Sequence, residues 1–148
     1  MIGPNDIKLF TEKAINEVDP LKKSFVLSTE DQLRTRVKDL SVNDGDFPVL
    51  VSMLPSSNRG GHRDSTPFNN LLVFYVLTKV DYGQTSDAEE LEIMQEMHLA
   101  CLAFIDFLEA QADQGCSLLQ NWEGRLGVDP EINLAGCNGY SILIETDD

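Results

Sequence analysis

The sequence predicts an α+β domain in which a small, mostly antiparallel sheet packs against one long helix plus an N-terminal helix. Three observations predict it. Residues 86–113 place apolar side chains at alternating three- and four-residue steps, the period of a long amphipathic helix. Residues 70–80 (NLLVFYVLTKV) are apolar on both faces of an extended run, and residues 47–55 (FPVLVSMLP) alternate on one. Residues 4–18 carry a shorter helical pattern. With 148 residues, the chain is expected to form one domain, 1–148, large enough for a substantial core.

The elements follow in order. Pro4 opens the first helix, with Ile7, Phe10, Ala14 and Val18 on one face, and Asp19-Pro20 ends it. Ser24 to Ser28 is a short strand candidate. Thr29 to Leu40 is a helix candidate, with Thr29 and Gln32 as a capping box and Leu33, Val37 and Leu40 inward. Asn43 to Asp46 is a turn. Phe47 to Pro55 is a strand with Phe47, Val49, Val51 and Met53 on one face, and Pro48 suits a strand start or an edge.

Residues 56–69 form a polar, glycine-bearing excursion, much longer than an ordinary hairpin loop, holding Arg59, His62, Arg63 and Phe68. The strand after it presents Leu72, Phe74, Val76 and Val80 on one face and Leu71, Val73, Tyr75 and Leu77 on the other. The long helix can cover one of these faces; the remaining helices or a neighbouring subunit must cover the second.

The long helix begins at Ser86, with Glu89 completing a capping box, and Gly115 is a natural stop. Leu91, Met94, His98, Cys101, Ile105, Leu108 and Ala112 form one row, and Met97, Ala100, Phe104 and Phe107 a second. At about 100° per residue the two rows cover roughly 220° of the circumference, more than one sheet face requires. Met97, Phe104 and Phe107 of the second row, with Leu72 and Phe74 of the strand, are therefore the expected oligomer interface. Residues 115–132 read as irregular, with a short helix at 117–122, and residues 139–145 as a closing strand.

A formal net charge of −14 argues against sequence-independent binding to nucleic acid or anionic membrane, which runs on clustered Lys and Arg. The long helix holds eight acids and no base. Three widely spaced cysteines, Cys101, Cys116 and Cys137, favour free thiols in a reducing compartment. No apolar run approaches the roughly 20 residues of a membrane span, and Asp6, Lys8, Glu12 and Lys13 interrupt any signal-peptide pattern.

No catalytic constellation emerges. His62-Arg63-Asp64 matches three letters of a kinase catalytic loop, but the chain is too short and lacks the glycine-rich loop. His98 reads as a core or boundary histidine, because no second histidine is nearby to complete a metal site. There is no P-loop, G-x-S-x-G or dinucleotide fingerprint. The expectation is a non-enzyme without cofactor or metal.

The order of elements, carried by FPVLVSMLP at 47–55, LLVFYVLTKVD at 71–81, the helix at 86–113 and NGYSILIE at 138–145, resembles the tail terminator and tail-completion proteins of tailed bacteriophages. The resemblance implies a virion protein of the neck, assembled in the host cytoplasm. It would form a homo-oligomeric ring, often a hexamer, that terminates the tail tube and joins it to the head–neck connector. DNA would pass nearby without specific binding, and the loop at Arg59, His62, Arg63 and Phe68 would dock a neighbour. A competing class is an acidic DNA mimic that inhibits a basic enzyme, for which the base-free helix is the feature.

Overall fold

In a computed structural model of the chain, residues 1–61 and 68–147 are described. Three helices surround a six-stranded, mostly antiparallel sheet, an α+β fold. The helices are α1 (Pro4–Glu17), α2 (Asp31–Val37) and α3 (Asp87–Asp113). The strands are β1 (Lys23–Leu27), β2 (Val49–Met53), β3 (Ser56–Asn58), β4 (Asn69–Lys79), β5 (Leu126–Leu134) and β6 (Cys137–Asp147). Their order is β1-β2-β4-β6-β5, with β3 also paired to β4. Only β1 and β2 run parallel.

Strand alternation sends side chains to two different cores. Leu50, Leu72, Phe74, Val76, Ile142 and Ile144 face α1 and α3. A chain of rings ties these layers together: Phe10 to Phe107 at 5.4 Å, Phe74 to Phe104 at 5.1 Å edge-on, and Phe10 to Phe74 at 6.0 Å. Val49, Val51, Tyr75, Leu77 and Cys137 face the other way and meet Leu33 and Val37 of α2. The second face of β4 is thus covered within the subunit. Lys79 fastens this cover, donating from Nζ to the carbonyls of Val37, Lys38 and Leu40 at 3.1–3.3 Å, which satisfies acceptors left open at the helix end.

The helix ends follow local chemistry. The Ser86 hydroxyl accepts from the Glu89 backbone N–H, and the Gly3 N–H donates to the Asp6 carboxylate at 2.9 Å. Gly115 leaves α3 with a φ of 80°. At α2 the expected cap works differently. Gln32 Oε1 accepts from the Ser28 backbone N–H and hydroxyl as well as, at 3.5 Å, from the Thr29 N–H, and the helix runs from Asp31 to Val37, inside the expected span of 29–40.

Two segments depart from the sequence reading. The expected irregular stretch contains β5, a nine-residue edge strand, preceded by a 3-10 turn at Ser117–Leu119. Gly127, Asp129, Pro130 and Glu131 are poor strand formers, so propensity hides it; an edge position tolerates the proline. The tight turn into β6 puts Ala135 and Gly136 both at positive φ (53° and 80°), the geometry of a two-residue hairpin. The buried Asn138 side chain braces this end, accepting from the Asn133 N–H at 2.9 Å and from the Tyr82 hydroxyl. Secondly, the excursion expected at 56–69 is shorter, because Ser56–Asn58 pairs with Asn69–Leu71. Pro55 breaks one long strand into β2 and β3, both hydrogen-bonded to β4.

Candidate assembly surfaces

The five residues expected at an oligomer interface lie inside the subunit. Leu72, Phe74 and Phe104 are fully buried, and Met97 and Phe107 nearly so, all in the core between the sheet and α1/α3. The expectation of an interface built from them is therefore corrected. The buried stripe of α3 takes members from both rows: Met97, Ala100, Cys101, Phe104, Phe107 and Leu108, with Gln111. The first ten residues of the helix contribute no buried side chain, so Leu91, expected inward, is exposed, and His98 just beyond Met97 is exposed as well.

The surplus apolar surface lies instead on the back of α3. Leu91, Leu99 and Leu102 are 73, 57 and 45% exposed. At about 100° per residue they fall within roughly 80° of one another, opposite the buried stripe. His98 flanks them, its ring 5.9 Å from that of Tyr140 in an edge-on contact. Together they make an exposed apolar stripe on the outer face of a charged helix. A plain i, i+8, i+11 count through Leu91, Leu99 and Leu102 could have found the stripe; the competing phase through Met94 and His98 obscured it.

The hairpin of β3 and β4 is a second surface. Beyond the paired residues, the Arg59 guanidinium lies 4.8 Å over the Phe68 ring, a cation–π contact that closes the base of the loop. This brings together two of the four expected docking residues. His62 and Arg63 lie outside the described residues.

At the same end of the sheet, Trp122 helps line a cavity of about 510 Å³ together with Asn69, Arg125, Leu143, Glu145 and Asp147 among others. Its indole N–H donates to the Arg125 carbonyl at 2.7 Å.

The eight acids of α3 are exposed or half-exposed along a helix about 40 Å long by its rise of ~1.5 Å per residue. Among the described residues no group of three or more His, Cys, Asp or Glu side chains could hold a metal ion. Cys101 and Cys137 are buried, and burial pushes both thiols up to about 11 from an ordinary 9.0. Cys116 is half-buried. Tyr75 donates to the Glu30 carboxylate; burial first, then that hydrogen bond and the Glu30 charge, raise its phenol. These shifts favour the neutral forms and leave the groups chemically quiet. No described helix is long and apolar enough to cross a membrane.

No protein-family model matches the sequence, and no curated protein does.

Proposed function

We propose that this chain is a structural subunit that assembles with copies of itself into a ring at the head–tail junction of a tailed bacteriophage. The observation that carries the reading is the stripe of Leu91, Leu99 and Leu102, exposed on an otherwise strongly acidic helix. Three aligned leucines lower the solubility of a monomer, and burying them against a neighbour gains the usual hydrophobic free energy, about 25 cal/mol per Å². The order of elements that resembles tail terminators supports the reading, as does the β3–β4 hairpin, which offers a neighbour a loop with Arg59 at its base. In such a ring the acids of α3 serve solubility and keep DNA from adhering to the conduit, since like charges repel. No catalytic residue or cofactor belongs to this role.

Mass measurement of the purified chain by sedimentation, followed by negative-stain imaging, tests it. Closed rings of one size, formed alone or with neck and tail-tube proteins, are expected. A chain that stays monomeric in both situations overturns the reading.

One observation favours a second reading, an acidic DNA mimic: eight carboxylates and no base along one 27-residue helix. A mimic competes with DNA for a basic enzyme as a monomer or dimer. Changing Glu92, Glu96 and Glu109 to Gln separates the two, because ring assembly survives the change and mimicry does not.

A further inference from the structure

The two free edges of the sheet differ in charge. β1 ends the sheet on one side and β5 on the other, and among the described residues neither has a strand beyond it. Seven of the eleven basic residues lie in the first 40 residues, where seven acids balance them; the remaining 108 hold four bases against eighteen acids. The whole net charge of −14 therefore belongs to the part of the chain after α2.

At the β1 edge lies a groove of about 490 Å³ lined by two bases, Lys8 and Arg36, and one acid, Glu12. Ser24, Phe25 and Val26 of β1 line it, with Lys8, Thr11 and Glu12 of α1 on one wall and Arg36 of α2 on the other. Consecutive strand residues from both faces of the sheet can line one groove only where it runs along the strand edge. Its floor is thus the unpaired backbone of β1. Lys22 stands exposed at its start. Thr11 holds the wall in place, donating to the Ile7 carbonyl at 2.6 Å and sharing a 2.8 Å hydrogen bond with the Ser52 hydroxyl.

The β5 edge is the opposite. Asp129 is exposed and Glu131 half-exposed on the strand, and Glu123 and Glu145 lie beside it, with Arg125 the base of this edge. Val128 and Ile132 add exposed apolar side chains.

We infer that β5 of one copy seats in the β1 groove of the next, continuing the sheet from subunit to subunit. This rests on the ring reading above and adds to the leucine stripe of α3 a second contact between neighbouring subunits. Strand directions agree with it. β5 runs antiparallel to β6, hence along β4 and against β2 and β1, so a neighbour held in the same orientation presents β5 antiparallel to β1. Main-chain hydrogen bonds then supply affinity and the charges supply register and partner choice. Pro130 lacks an N–H, and in an edge strand that position points outward. It limits the new ladder to the four residues Leu126–Asp129, which fit within the five residues of β1. The contact is head-to-tail, so it generates a ring where the rotation closes.

Two measurements test this. The first uses Ser24→Cys with Val128→Cys, which lie on the same side of the extended sheet, in a chain carrying Cys116→Ser. Mild oxidation should give a ladder of covalent multimers, while each single variant gives none. The second reverses the charges. Lys22→Glu with Arg36→Glu, or Asp129→Lys with Glu131→Lys, should raise the concentration for half-assembly by about tenfold or more. A chain carrying all four changes should recover assembly. These side chains are on the surface, and circular dichroism verifies that each variant is folded. Rings that form without a ladder and without charge rescue overturn this inference and leave the ring reading standing. A monomer under every condition, with no ladder, overturns both.

Discussion

Gly139 of β6 lies so close to β4 that a Cβ on it would sit 1.9 Å from the Val76 carbonyl oxygen. The nearest atoms are all backbone: the Val76 carbonyl carbon at 2.9 Å and the Leu77 Cα at 3.0 Å. Gly139 is fully enclosed, opposite Leu77 in the central pair of strands. No side-chain rotation can relieve such a clash. Gly139→Ala should therefore separate β4 from β6 locally and destabilise the fold by roughly 3 kcal/mol or more, a magnitude reserved for strain of this kind. Urea denaturation of the two proteins measures it. A variant within about 1 kcal/mol of the parent would show that the strands can part at little cost.

Phe104 meets Phe74 edge-on and stacks near Phe107, so it is the centre of the aromatic cluster. Phe104→Ala should cost about 3–5 kcal/mol, from the lost burial and the cavity left behind. Phe104→Asp should abolish folding, because a carboxylate with no partner would be buried there. A folded, monomeric Phe104→Asp protein would show that this residue belongs to a subunit contact after all. Circular dichroism with sedimentation distinguishes the outcomes.

The back of α3 should behave in the opposite way. Leu91→Gln, Leu99→Gln and Leu102→Gln together should leave the melting temperature nearly unchanged, since exposed substitutions fall within about 0.5 kcal/mol each. Assembly into rings should weaken or disappear. Thermal melts and sedimentation on the same samples separate stability from association, and unchanged rings would remove the stripe from the contact.

Thiol reactivity should rank by burial. At pH 8 a thiol reagent should modify Cys116 first, and Cys101 and Cys137 only as the protein opens; all three should titrate in denaturant. The two raised thiols also set an alkaline limit. Their folded values near 11 exceed the ordinary 9.0, so the folded state holds these protons more tightly than the unfolded chain. Their contribution to stability is complete below pH 9 and is lost as pH climbs through 11, and the raised Tyr75 phenol adds to the loss in the same direction. Denaturation midpoints measured from pH 8 to pH 11 should fall steadily. Replacing Cys101 and Cys137 with Ala should lower the whole curve and flatten its decline.

Sequence alone determined the period of each helix, the N-cap of α3 at Ser86, the two-faced character of β4 and the acidity of the helix surface. These are local or compositional properties: side-chain spacing, a hydroxyl three residues before a backbone N–H, a count of carboxylates. It also held the alternation of β6, although the strand extends to Asp147. Tertiary structure alone decided which apolar stripe of α3 is buried. Both stripes have helical spacing, and the choice depends on where the sheet lies beneath the helix, reaching Met97 but leaving Leu91 uncovered. It also decided that α2 covers the second face of β4, that Ser56–Asn58 pairs with β4, and that β5 exists. A strand carrying Gly127, Asp129 and Pro130 has little preference for extended structure of its own; its hydrogen bonds come from β6, a partner that pattern and propensity do not reveal. The placement of bases at one sheet edge and acids at the other has the same origin, because strand order is a non-local property.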